Sequence, residues 1–456
     1  MNNTYSLTIF IPEFLLLLNI FIHFIYSDGR SRKFIILRNS FLFISLSICL
    51  ILEIFFRPDK SHGLFFNSFI LNPFTMFFSL FLILLFLIFE YRNIRQNYTS
   101  FSNDILIQKL LYLTASILLI KANSLISLIL CVGLIFLNNI NYFCPQKSEK
   151  ENYQFFLTSH LMIFVILLFG IMLYYGITGS FFFMADAAPG NVAKPNSVVF
   201  SFTALLLMIG FGLYGFILPF GKLFGKQPYS FDNGRVNSAF YIPLFAFWGI
   251  TFRILNDLLS VPESELIVKN YRTFILLCSI LLIVAASLYF PIRRKTSDLF
   301  HISLIIHLSL SILGFGVISL DVTAVSIYLL VITILTYSAL AMTDKNKIPN
   351  RLSKIVLIIL YLNILGIPGG SGFTARFLLF HSLFRANIPL IYIIFSMLSL
   401  IPLVIFVTIE ILRVSQSIPS FEKQRIEFVP LFLTVIVIGL GIYWEPFYNL
   451  ILVSLR

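Results

Sequence analysis

The stretch Pro73–Phe89, PFTMFFSLFLILLFLIF, contains no charged residue, and runs of this kind recur along all 456 residues. About 20 apolar residues in helical form cross the hydrocarbon core of a bilayer. In lipid every backbone N–H and C=O must be paired within the protein, so only helices or closed barrels can span it. A barrel strand alternates polar and apolar residues, and these segments do not. Charged residues make up only 11% of the chain, against about 25% in soluble domains. The sequence therefore predicts an all-α polytopic membrane protein.

About fourteen spans are expected, near 6–27, 34–56, 67–89, 106–121, 123–142, 154–175, 197–220, 236–258, 272–291, 299–318, 322–342, 352–384, 388–412 and 428–453. The fourth and fifth are joined by almost no loop, and the twelfth is too long for one straight helix. The first run is long enough to span and lacks a basic n-region, so no cleavable signal is expected. Most of the 32 lysines and arginines fall in the odd-numbered loops. That bias places the odd loops in the cytosol, or in the matrix of a mitochondrion, and both termini on the opposite side. The net charge of +12 reflects this asymmetry and does not imply nucleic-acid binding, because the basic residues sit in short separate loops. The 53 phenylalanines against two tryptophans read as nucleotide bias in an AT-rich genome, a composition compatible with an organelle. Cys49, Cys131, Cys144 and Cys278 have no zinc or redox spacing and are expected as small core residues. No metal site is expected.

Two spans carry breaks. In NILGIPGGSGFTARFLLF, Pro368 removes a backbone donor while Gly366, Gly369, Gly370 and Gly372 allow the chain to leave helical geometry. In GFGLYGFILPFGKLFG, Pro219 sits among glycines. Two interrupted helices, seven and twelve, lie five spans apart, a spacing that points to an internal repeat of five helices and to an ion path at the interruptions. An ordinary proline kink is the alternative, and a stronger one at Pro219 than at Pro368. The expected organisation is a three-helix N-terminal segment (1–105), a first five-helix repeat (106–258), a second (259–413) containing the broken helix 352–384, and a C-terminal helix (414–456).

Ionisable residues inside spans are candidate functional groups. Glu53 with Arg57, Arg253 with Asp257 and Glu410 with Arg413 have the spacing of local helix pairs. Glu13 and Arg376 have no such neighbour, so each needs water or a partner on another helix. His160 and His307 also lie at depth, where a hydrogen-bonded packing role and a proton-relay role are both open.

Several of these stretches resemble the subunit 2 family of mitochondrial NADH dehydrogenase (respiratory complex I). GIPGGSGFTARFLLF is similar to its twelfth span, IFIPEFLLLLNIF to its Pro-Glu first span, and KANSLISLILCVGL to its fourth-to-fifth junction. LLFGIMLYYGITGS resembles its sixth-span ending, FILPFGKLF its kinked seventh span, LIIHLSLSIL its tenth-span histidine segment and GLGIYWEPFYNLI its last span. The likeness runs in order over most of the chain. The most specific segments are Tyr175–Ser180 and Gly366–Phe377.

The resemblance implies an antiporter-like fold of two five-helix repeats with discontinuous helices 7 and 12. It implies a membrane-arm subunit supporting redox-driven proton translocation in the mitochondrial inner membrane, beside other membrane-arm subunits and phospholipids. NADH, FMN, iron–sulfur clusters and ubiquinone would be bound by other subunits, with no redox site and no cofactor in this chain. The family's polar axis uses a glutamate in the fifth span and lysines in the seventh, eighth and twelfth. Here those positions fall at Gly133, Tyr214, a position near Leu244, and Arg376. Arginine stays protonated where lysine can shuttle a proton. The expected polar axis is therefore reduced to Arg376, Glu13, His307, His160 and Tyr214. Three roles stay open: a proton-translocating subunit with a degenerate first half-channel, a structural spacer in the same complex, and a stand-alone cation/proton antiporter.

Overall fold

The computed structural model describes residues 10–25, 32–55, 62–65, 67–96, 103–142, 150–183, 197–223, 237–259, 265–289, 296–317, 319–342, 351–398, 400–416 and 428–455. Its described residues are almost all helical, and they divide into two compact units, Met1–Ile267 and Val268–Arg456.

The first unit holds α1 (Ile11–Ile25), α2 (Arg32–Phe55), α3 (Pro73–Gln96), α4 (Asn103–Lys121), α5 (Leu125–Tyr142), α6 (Lys150–Thr178), α7 (Ser197–Leu223) and α8 (Asn237–Leu259). Between α2 and α3 lies a small hairpin, β1 (His62–Leu64) paired antiparallel with β2 (Phe69–Leu71) in the register His62↔Leu71, Gly63↔Ile70, Leu64↔Phe69. The hairpin explains how α4 and α5 are joined with so little loop. Phe69 bridges Ala122, the Asn123 amide donates to the Ser68 carbonyl at 2.8 Å, and the Ser127 hydroxyl donates to the same carbonyl at 2.8 Å. Gly179, at φ +63, ends α6 and turns the chain so that Ser124 bridges Phe182. The polar backbone at this end of the bundle is thus paired within the protein, as a membrane fold demands.

Helix α7 corrects one expectation. It runs as a single helix through Pro219, so the seventh span is not discontinuous. A proline deletes one helical hydrogen bond, which a kink absorbs without ending the helix. Gly210 serves close packing instead: a Cβ there would lie 2.5 Å from the Leu167 side chain of α6.

In the second unit α9 (Glu265–Tyr289) is followed by α10 (Thr296–Phe315), α11 (Leu320–Met342), α12 (Arg351–Leu365), α13 (Ser371–Arg385), α14 (Leu390–Leu398), α15 (Ile401–Gln416), α16 (Phe428–Ile442) and α17 (Trp444–Leu455). The pair α12 and α13 replaces the long twelfth span, and the interruption between them is where the sequence places it. One further span is broken: α16 and α17 are bent by 84° at Tyr443. Helices α14 and α15 together make a single span, Leu390–Gln416. Helix α11 is buried along nearly its whole length. An all-round apolar helix of this kind belongs at the centre of a bundle, and α10, α13, α16 and α17 pack around it.

Among the described residues, five helical stretches, the α14–α15 run included, are long and apolar enough to cross a membrane and the bent pair makes a sixth; six more are shorter apolar helices. The protein is a multi-pass membrane protein.

Candidate functional site: two buried ionic clusters

The first cluster is built on the break between α12 and α13. Gly366 and Gly369 take positive φ, +75° and +97°. Asn363, one turn before the break, holds its two edges together. Its side-chain carbonyl accepts from the Gly372 amide at 2.8 Å and from the Ser371 hydroxyl at 3.2 Å, and its amide donates to Thr336 Oγ1 on α11 at 2.8 Å. The two half-helices cross so closely that a Cβ on Gly372 would lie 2.0 Å from the Asn363 carbonyl. Helix α16 presses on the same point through Gly441, where a Cβ would meet the Ser371 amide at 2.4 Å.

Breaking a helix leaves carbonyls unpaired at its C-terminal end, which also carries the negative end of the helix dipole. Arg376, on the first turns of α13, folds back to them. Its Nη1 donates to the Leu365 carbonyl at 3.0 Å and its Nη2 to the Ile364 carbonyl. Nη2 also meets His307 Nε2 at 2.5 Å. The Gly366 backbone passes against the guanidinium, where a Cβ would lie 2.9 Å from Nη1. The His307 Nδ1 lies 2.7 Å from the Ser303 carbonyl and 3.1 Å from the Tyr337 hydroxyl. With the Nδ1 proton donated to Ser303, Nε2 keeps the lone pair that accepts from Arg376, which makes His307 a neutral imidazole. Among the described residues no carboxylate pairs with Arg376. The cation is held by helix-end carbonyls and an imidazole.

The second cluster lies in the first unit. Lys121, the last residue of α4, donates to Glu13 on α1 and to Glu53 on α2 at 2.6 Å, with all three side chains buried. Arg253 of α8 donates to the carbonyls of Ile120 and Ala122 on either side of Lys121. Two acids and two bases are thereby gathered at one helix end, a nearly neutral assembly of the kind that makes buried charge tolerable. Glu13 thus finds its partner on another helix. Of the local pairs expected from spacing, two have one member outside the described residues, Arg57 for Glu53 and the Asp257 side chain for Arg253; Glu53 accepts from Lys121 and Arg253 donates to backbone carbonyls. The Glu410–Arg413 pair is present at 3.1 Å. Lys121 and Lys109 are buried on α4. Lys109 pairs with Glu90 at 2.9 Å. Cys49 and Cys131 are buried, Cys278 is half-buried, and Cys144 lies outside the described residues.

The remaining sites are apolar or aromatic. Tyr214 is buried and stacked on Phe247, with ring centroids 4.4 Å apart and planes at 14°. The His160 ring meets it edge-on at 5.6 Å. His160 Nδ1 is bonded to the Phe156 carbonyl at 3.0 Å, while its Nε2 and the Tyr214 hydroxyl have no hydrogen-bond partner among the described residues. Leu244 is fully buried. Gly133 lies half-buried on α5 beside the exposed Leu134, with no atom within 4 Å of a Cβ placed there. His160 and Tyr214 therefore come together, as do His307 and Arg376, and Glu13 joins a third group. The sequence reading missed Asn363, Tyr337 and Lys121. Its available signals were a polar residue one turn before a Gly-Pro break, and a lysine just before a three-residue helix junction.

The fold matches solved chains along nearly its whole length. One from respiratory complex I of Thermus thermophilus aligns with TM-score 0.73 at 14% identity, covering 96% of this chain and 98% of that one. One from an archaeal respiratory complex, the membrane-bound sulfane sulfur reductase, aligns with TM-score 0.78 at 14% identity, covering 99% and 97%. One from the Mrp complex of a Dietzia species aligns with TM-score 0.77 at 12% identity, covering 98% and 97%. No family model matches the sequence, and no curated protein matches it. The fold is that of the antiporter-like membrane subunits.

Proposed function

We propose that this chain is an antiporter-like membrane-arm subunit of respiratory complex I, of the subunit 2 type, that supports redox-driven proton translocation. The observation that carries the reading is the broken helix with Arg376 locked onto its end and onto His307. A spacer needs no interrupted span, and an interrupted span in lipid is tolerated only where protein rebuilds its pairing. Here α11, α16 and Asn363 all serve that purpose. The arrangement couples charge to position. His307 accepts from Arg376 through the lone pair that a proton would occupy. A proton arriving at Nε2 sets two cations against each other and drives the guanidinium off the imidazole. Arg376 itself carries no proton onward, because it stays protonated.

In this reading the repeats are 106–258 and 259–413, and NADH, FMN, iron–sulfur clusters and ubiquinone belong to other subunits. Its setting is the mitochondrial inner membrane, among other membrane-arm subunits and phospholipids, with both termini on the intermembrane-space side. In the same reading the path of the first repeat is degenerate, and the stacking of Tyr214 on Phe247 supports this. The same packing favours a second reading, a structural spacer in the same complex. Purification of the tagged full chain from its own membranes separates these from a stand-alone antiporter. Co-purification with a quinone-reducing assembly is expected, and recovery of the chain alone would refute membership.

A further inference from the structure

The proposed function leaves α1 and α2 without a role, yet their seam holds a row of buried polar residues. Along α1 the buried residues are Pro12, Glu13, Leu16, Asn19 and His23, one face at helical spacing. Along α2 the buried polar residues are Arg38, Ser45 and Glu53, with Cys49 between the last two. The two rows meet. Asn19 Nδ2 donates to Ser45 Oγ, Ser45 donates to the Leu42 carbonyl at 2.9 Å, and Cys49 Sγ donates to the Pro12 carbonyl at 3.4 Å. His23 Nδ1 is bonded to the Asn19 carbonyl at 2.8 Å, and Arg38 lies within electrostatic reach of the ring. At the other end stand Glu13, Glu53 and Lys121.

Interhelical hydrogen bonding alone explains the Asn19–Ser45 contact. It does not explain why Glu13 Oε2, Asn19 Oδ1 and His23 Nε2 are all buried without a partner among the described residues. These three atoms lie along one helix face, with Leu16 between Glu13 and Asn19. Buried polar atoms without partners are rare and costly, and a row of them is what a file of bound water requires. From Glu53 to Arg38 the seam rises about 22 Å, most of a hydrocarbon core about 30 Å thick.

We propose that the α1–α2 seam is a hydrated proton relay running between the Glu13–Lys121–Glu53 cluster and His23, a route separate from the degenerate one at Tyr214. A proton enters on the Glu13 carboxylate and passes through water held at Asn19 and Ser45. It leaves from His23, and each group returns to its starting charge. The inference rests on the proton-translocating reading of this chain.

The native Cys49 thiol, inside the seam, reports hydration independently of activity. In the assembled complex, with Cys49 as the sole cysteine of this chain, a small water-borne methanethiosulfonate is expected to label it at least about ten-fold faster than Cys131 alone, because thiols in dry interiors are inert. Labelling no faster than that of Cys131 overturns the relay. Asn19→Leu, nearly isosteric and touching no charge, is expected to lower protons moved per electron pair while electron transfer persists, and Asn19→Ser is expected to restore them. An unchanged proton yield in Asn19→Leu overturns the relay while leaving the proposed function standing. A wild-type complex that transfers electrons and moves no protons overturns the proposed function, and the relay with it.

Discussion

Arg376 Nη2 and His307 Nε2 lie 2.5 Å apart, and the same guanidinium closes the carbonyl end of the helix that stops at Leu365. One side chain thereby answers two demands of the bilayer. It pairs carbonyls that the Gly366–Gly370 break sets free, and it gives its own charge acceptors in place of water.

The planar fork is essential to that double role. Arg376→Lys keeps the charge but cannot reach two carbonyls and an imidazole from one fixed geometry. A loss of about 2 kcal/mol is expected, read as a lowered unfolding midpoint in detergent. Equal stability of the lysine variant would show that charge alone suffices.

Glycines separate into those that touch and those that do not. Gly372→Ala and Gly441→Ala place a Cβ within 2.0 and 2.4 Å of backbone atoms, and each should cost more than about 2 kcal/mol. Gly133→Ala and Gly439→Ala meet nothing within 4 Å and should stabilise their helices by about 0.5–1 kcal/mol. Thermal denaturation of the four variants side by side checks the contrast, and four similar shifts would refute the packing described.

Removing Lys121 strands two carboxylates. Lys121→Met is expected to cost about 3–5 kcal/mol. Adding Glu53→Gln should return at least about 1 kcal/mol, since the residues act as one network. Strict additivity in a double-mutant cycle would mean that the three do not interact.

The Tyr214 hydroxyl has no partner among the described residues, while its ring is stacked on Phe247. Tyr214→Phe should therefore leave stability within about 0.5 kcal/mol of wild type and leave proton movement unchanged. A lost proton yield in this variant would restore the path taken here as degenerate.

Much of this architecture was legible in the sequence, and the misses share one cause. Apolar runs and the Gly-Pro-Gly-Gly cluster mark helices and their interruption because the bilayer imposes those features locally, within one stretch of chain. Pairing across helices leaves no such mark. Glu53 and Lys121 are 68 residues apart and Arg253 lies 131 residues beyond Ala122, so local spacing does not reveal the partners that Glu53 and Arg253 find on other helices. Pro219 misled in the opposite way: the residue is a helix breaker in isolation, yet the chain carries α7 through it. Arg376 stood out as an unpaired charge beside a break, but its partners are carbonyls and a histidine, which charge counting does not find.

The most direct test of the account is the number of protons moved per electron pair by the assembled, reconstituted complex, wild type against Arg376→Ala. If Arg376 and His307 form a charge-coupled element, electron transfer persists in the variant while the proton yield falls. An unchanged yield in a fully assembled variant would contradict this and leave the chain a spacer.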